Sequence, residues 1–175
     1  MALTVEQICA AGSDEQLFKL LSGELQRLFP PEIRKDPVVF LSRLQNAPAG
    51  LRAMAATYDL DVSMAMDDLA WHFINHHRLP AFAEETILGL RELGATEAAE
   101  IFEAAFGIVR PHWAELAEAA ASKSPHDWLA AKGIPAAVKP LNEHLWNFLK
   151  QQPDGSLLSF WLAYARSFPE RCAAS

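Results

Sequence analysis

Asp68, His72 and His76 recur every four residues in the stretch DDLAWHFINHH. On a helix that spacing puts one carboxylate and two imidazoles on a single face, a donor set that suits zinc or another divalent ion. The surrounding pattern argues against a metallohydrolase. Phe73 follows His72 where the zincin helix carries its general base, and no second cluster supplies a further ligand. Packed histidines are the commoner use, as are histidines that close a helix, and His76 and His77 would lie at the negative end of the macrodipole. Other chemistry is no better signalled: there is no Gly-x-Ser-x-Gly elbow, no cysteine near a histidine and no Gly-rich phosphate loop. The expectation is a non-enzymatic protein with no cofactor. The alternative is a metal-dependent or other small-molecule enzyme built on the Asp68, His72 and His76 face.

Charge carries the stronger signal. The chain of 175 residues has a formal net charge of −7, with 51% apolar and 21% charged residues, a globular composition. Residues 1–58 hold six acids and six bases, and residues 119–175 hold four acids and six bases. Residues 59–118 hold twelve acids against Arg78, Arg91 and Arg110. An acidic balance argues against direct nucleic-acid binding, which gains affinity by neutralising phosphates with lysine and arginine. It favours a protein partner with a basic surface, met by Asp59, Asp61, Asp67, Asp68, Glu84, Glu85, Glu92, Glu97, Glu100 and Glu103. Glu6 interrupts any secretory apolar run and no segment is long and apolar enough to span a bilayer, so a cytoplasmic protein without membrane association is expected. Cys9 and Cys172 stand in no ligand spacing and are expected to be idle thiols.

The elements that must position these residues are helical. Ser13 with Gln16 opens a helix through Leu17, Leu21 and Leu25 that Pro30-Pro31 stops, and Asp36-Pro37 opens a short one. A further helix through Leu51 and Met54 is expected to end near Asp59. Ser63 is then expected to cap the helix that runs to about His77, with Asp67 and Asp68 in its early turns. Pro80 opens a helix whose stripe of Ala83, Ile87, Leu90 and Leu93 ends at Gly94, and Thr96 is expected to cap the next, where Glu97, Glu100 and Glu103 share a face. Pro111 breaks or kinks that helix, HWAELAEAAA continues helical to Ser124-Pro125, and three more helical patterns follow. No window alternates like a strand, so the prediction is an all-α fold, one compact domain over residues 1–175 of about eight to ten short helices, without repeats.

Three segments carry a family likeness: WHFIN from Trp71 to Asn75, AEETILGLRELGA from Ala83 to Ala95, and AAEIFEAAF from Ala98 to Phe106. Over about residues 64–113 the chain resembles the DNA mimic protein 19-like family, small bacterial helical proteins named after an acidic member that imitates DNA. Members typically open this region with Gly-Gly and an aromatic residue; here Asp67-Asp68 occupy the Gly-Gly place, and His72 replaces one aromatic. The resemblance implies a homodimeric interaction protein, acidic over a helical core at about residues 59–118, whose partner is a basic DNA-binding protein such as a transcriptional regulator. A third reading, a structural or adaptor module, would bind through exposed members of Trp71, Trp113, Trp128, Trp146 and Trp161.

Overall fold

Side-chain caps fix the first helices. Thr4 accepts from Gln7 N while the Gln7 side chain accepts from Thr4 N, a full capping box on α1 (Val5–Cys9). Ser13 Oγ accepts from Gln16 N at 3.2 Å to open α2 (Asp14–Leu28), and Pro30 and Pro31 end it and start α3 (Pro31–Lys35). Asp36 Oδ1 accepts from Val38 N and Val39 N ahead of α4 (Pro37–Gln45). In this computed structural model, which describes residues 2–76, 79–122 and 124–173, the chain continues as α5 (Ala49–Met66), α6 (Leu69–Asn75), α7 (Pro80–Glu92) and α8 (Thr96–Val109). A 3-10 turn at Arg110–His112 absorbs Pro111 before α9 (Trp113–Ala121), followed by α10 (Pro125–Ala131), α11 (Ile134–Lys150) and α12 (Leu158–Ser167). The fold is all-α, with no strand among the described residues. None of the described helices is long and apolar enough to cross a membrane.

Three local expectations are corrected. The helix through Leu51 does not end near Asp59 but continues to Met66, because nothing in YDLDVSMAM breaks it. Ser63 is therefore no cap: it lies buried inside α5 and its hydroxyl donates to Asp59 O at 2.7 Å, the back-bond to the preceding turn that serines make within helices. The cap of α6 is Asp68, whose Oδ1 accepts from Trp71 N at 2.9 Å. Thr96 is the first residue of α8 and makes no capping bond. Gly94, by contrast, adopts φ 82° just past α7, and the Ala95 N–H returns to Leu90 O, the left-handed stop expected of it.

Two apolar clusters make the interior, and α5 contributes to both. Leu51, Ala53 and Met54 join Leu17, Leu21, Leu44, Trp161 and Tyr164 in one, while Leu60 and Met64 join Phe73, Leu90, Phe102, Val138 and Leu145 in the other. The most extensive helix–helix contact is between α5 and α7. A Cβ on Gly89 would lie only 3.0 Å from Ala53 O and 3.3 Å from Thr57 Cγ2, so the bare glycine lets the two backbones meet. Thr86 Oγ1 adds a bond to Ala56 O at 2.9 Å. On the far side α6 is held to α11 by Leu69 N donating to Asn142 Oδ1 at 2.9 Å, and α11 is tied to the end of α5 by Trp146 Nε1 donating to Met64 O at 3.0 Å.

Gly50 plays the corresponding part at the start of α5, under the C-terminal segment. A Cβ there would collide with Cys172 Sγ and stand 2.8 Å from Tyr164 Cε1 and 3.2 Å from Arg171 O. Gly50→Ala should lower stability in urea unfolding by about 1–3 kcal/mol, the usual cost of overpacking, despite the better helix propensity of alanine. The cost should shrink in a Cys172→Ala background. Equal stability of Gly50→Ala and the parent would mean that the C-terminal segment does not pack on α5.

Candidate functional site

The continuation of α5 past Asp59 brings that residue beside the two histidines of α6. His76, at the end of α6, places Nδ1 3.3 Å from Asp59 Oδ2, and the rings of His72 and His76 lie 4.9 Å apart. His72 Nδ1 is 3.0 Å from Ser63 Oγ. Because the Ser63 hydroxyl proton is committed to Asp59 O, Ser63 can only accept from the ring, so Nδ1 carries the hydrogen and Nε2 keeps its lone pair. Burial, and then the neighbouring His76, push the His72 pKa down to about 3, and the ring is neutral. Burial disfavours the Asp59 charge, but the hydrogen bond and charge of His76 outweigh it and hold the carboxyl below its usual range.

These groups edge a cavity of about 170 Å³ between α3–α7 and the start of α9. Its walls are largely aromatic, from Phe40, Phe73, Phe82 and Trp113. Trp113 Nε1 is buried without a hydrogen-bond partner among the described residues. Asp68 does not join His72 and His76: capping takes it out of the helical repeat, so the four-residue spacing fails at its first member. Among the described residues no group of three or more His, Cys, Asp or Glu is arranged to hold a metal ion. His77 lies outside the described residues.

The acids expected to meet a partner divide into two sets. Glu85 is 4% exposed and receives both nitrogens of Arg52 at 2.7 Å, with Gln45 Nε2 at 3.2 Å, and this bond raises the Arg52 pKa. Glu92 accepts from Tyr164 Oη and pairs with Arg171 at 2.9 Å; burial and then the Glu92 bond drive the Tyr164 pKa upward. Asp61 accepts from Leu157 N at 2.7 Å, although burial pushes its pKa up. With Asp59 and Asp68 these carboxylates serve the interior or the chain turns. The second set, Asp67, Glu84, Glu97, Glu100 and Glu103, is exposed. Three of them face exposed basic side chains: Glu84 with Arg110 at 4.0 Å, Glu103 with Arg91 at 2.7 Å, and Glu97 with the His144 ring at 2.9 Å. Arg78 lies outside the described residues.

None of the five tryptophans is exposed. Trp161 Nε1 donates to Thr57 Oγ1 at 3.1 Å, and the others pack against the second cluster. The large apolar side chains that do reach the surface are different ones, among them Val38, Met66 and Leu88.

The neutral His72 makes stability depend on pH. In the unfolded chain this imidazole takes up its proton near 6.5, whereas the folded chain resists it until about 3. Its contribution is therefore complete above pH 6.5 and is lost as pH falls toward 3. The slope approaches ~1.4 kcal/mol per pH unit. Carboxylates with lowered pKa values add to this only below about 4.5. Urea unfolding between pH 6.5 and about 5 should show stability falling with acid, and His72→Gln should flatten that dependence. An unchanged slope in the variant would place the responsible group elsewhere.

The likeness seen over the central helices extends well beyond them. The family model described as DMP19-like protein matches residues 45–163, from the end of α4 into α12, which takes in the Asp59 cavity wall, the α7–α8 acids and the α5–α7 contact. No curated protein and no solved structure gives a significant match. With more than half of its length matched, the chain belongs to the DMP19-like protein family.

Proposed function

We propose that the protein is a non-enzymatic interaction protein that receives a basic protein surface along the outer edge of the α7–α8 hairpin. The observation that carries this reading is the exposure of Glu84, Glu97, Glu100 and Glu103, whose ion-pair partners among the described residues are themselves exposed. Exposed pairs of this kind contribute about 0–1 kcal/mol, so an incoming arginine or lysine displaces Arg91, Arg110 or His144 at small cost. Glu85 and Glu92, whose carboxylates are occupied inside the fold, stand outside the binding set.

Charge density bounds how far the edge imitates DNA. The 14 residues of α8 rise about 21 Å, over which B-DNA carries about a dozen phosphate charges. The edge offers four carboxylates interleaved with two guanidiniums. It supports docking by charge complementarity more than a full copy of the phosphate array. A DNA-binding regulator is the partner class that the family likeness implies.

A pull-down from the native cytoplasm would supply the partner, and titration calorimetry would test the surface. Changing Glu84, Glu97, Glu100 and Glu103 together to Gln should leave the helical circular dichroism intact, since surface changes usually stay within ~0.5 kcal/mol each. Affinity should fall by about tenfold or more, and parent binding should weaken steeply with salt. Unchanged affinity in the fourfold variant would reduce these carboxylates to a solvated face.

A further inference from the structure

We propose that the groove between α2, α3 and α5 docks one amphipathic α-helix of a protein partner, apolar on the face it buries and acidic at the end that meets Arg34 and Lys35. Space is the first reason. The groove encloses about 700 Å³, against about 170 Å³ for the cavity beside Asp59, so it takes a row of side chains. Its long wall is α2 with its cap, where Phe18, Ser22, Leu25, Gln26 and Phe29 recur at helical spacing over about 16 Å, three turns. Of the lining, Leu25, Phe29 and Trp161 are buried, while Phe18, Gln26, Lys35 and Tyr58 are exposed. An occupant is therefore dry on one side and wet on the other, the condition an amphipathic helix meets by laying its apolar stripe into a groove.

Charge sets the chemistry of the partner. Among the described residues that line the groove the charged ones are Arg34 and Lys35, with no acid, although the chain as a whole carries −7. Arg34 is fixed in place: its Nε donates to Phe29 O at 3.0 Å, and its guanidinium carbon stands 5.4 Å from the Tyr58 centroid. The cations therefore gather at the Phe29 end, where opposite charge on a partner steers and orients it. A second copy joined through the same face would bring the same two cations and no acid. The apolar surface also outruns the groove. Tyr58, Val62 and Met66 follow one another every four residues on α5, all exposed, Met66 at 81%. A single fatty chain lying in the groove would leave that ridge bare, whereas a helix, about 10 Å across with its side chains, reaches over it. The α2 and α3 walls precede the 45–163 segment shared with the family, and the surface is separate from the acidic α7–α8 edge, so the failure of either reading leaves the other standing.

The probe is a fluorescein-labelled peptide of about four helical turns, leucine along one face and glutamate along the other, titrated into the full chain and read by fluorescence anisotropy. It should bind saturably, and more weakly as salt rises. Lys35→Glu and Phe18→Ala should each weaken it about tenfold while the helical circular dichroism is retained, since both side chains are exposed. Leu88→Ala, which removes an exposed leucine of α7 outside the groove, should leave the affinity unchanged. The same peptide with lysine in place of glutamate should not displace the probe. Four results would overturn the proposal: no saturable binding, an affinity that neither Lys35→Glu nor Phe18→Ala moves, displacement by the lysine peptide, or displacement by dodecanoate at lower concentration than by the unlabelled probe, which would make the groove a fatty-acid site. Self-association of the parent in sedimentation that Phe18→Ala abolishes would assign the groove to a second copy and overturn it equally.

Discussion

Arg52 and Glu85 meet across the contact between α5 and α7, and the geometry of that contact sets where the other helices can go. The pair is bidentate, with Glu85 almost fully buried and Gln45 of α4 completing its shell. A buried carboxylate is tolerated only when charge and hydrogen bonds replace the water it loses. Gly89 permits the close approach that lets Arg52 reach, and Thr86 adds a second polar tie one residue after Glu85. Once α7 is fixed on α5, the turn at Gly94 returns α8 alongside it, and α8 in turn packs on α11. The outward face of this hairpin is left to the exposed carboxylates of Glu84, Glu97, Glu100 and Glu103.

The same long helix builds the cavity. Because α5 runs unbroken to Met66, Asp59 and Ser63 sit one turn apart and face α6, and the hydroxyl of Ser63 relays the tautomer of His72. The family model spans these elements and starts at the end of α4. The two clusters of apolar residues meet along α5, so a shift in that helix would move the cavity wall and the α7–α8 edge together.

Helix punctuation was legible in the sequence wherever one residue type has one local use. Asp36 before Pro37, Pro80 and Gly94 stand where their chemistry requires. Ser63 was not legible in this way, because a serine hydroxyl serves equally as an N-cap acceptor or as a donor to the preceding turn, and only packing decides. The Asp59–His76 pair was hidden for a related reason: it joins two helices, and local spacing pointed to Asp68 instead. Glu84 and Glu85 are adjacent, yet one is exposed and the other buried, as divergence on a helix demands. A signal for the buried member existed. Arg52 is the lone charge between Ala49 and Tyr58, and Glu85 stands one turn before Gly89. Which acid that arginine would choose depended on tertiary contact.

The acidity of the middle of the chain is divided between an interior set that holds helices together and an exposed set at the surface. A double-mutant cycle on Arg52→Ala and Glu85→Ala, read by urea unfolding, tests the interior half most directly. A coupling energy above about 1.5 kcal/mol is predicted, beyond the ~0.2–1 kcal/mol of exposed pairs. A coupling within the exposed range, with Glu85→Ala costing little by itself, would contradict it and return Glu85 to the surface acids.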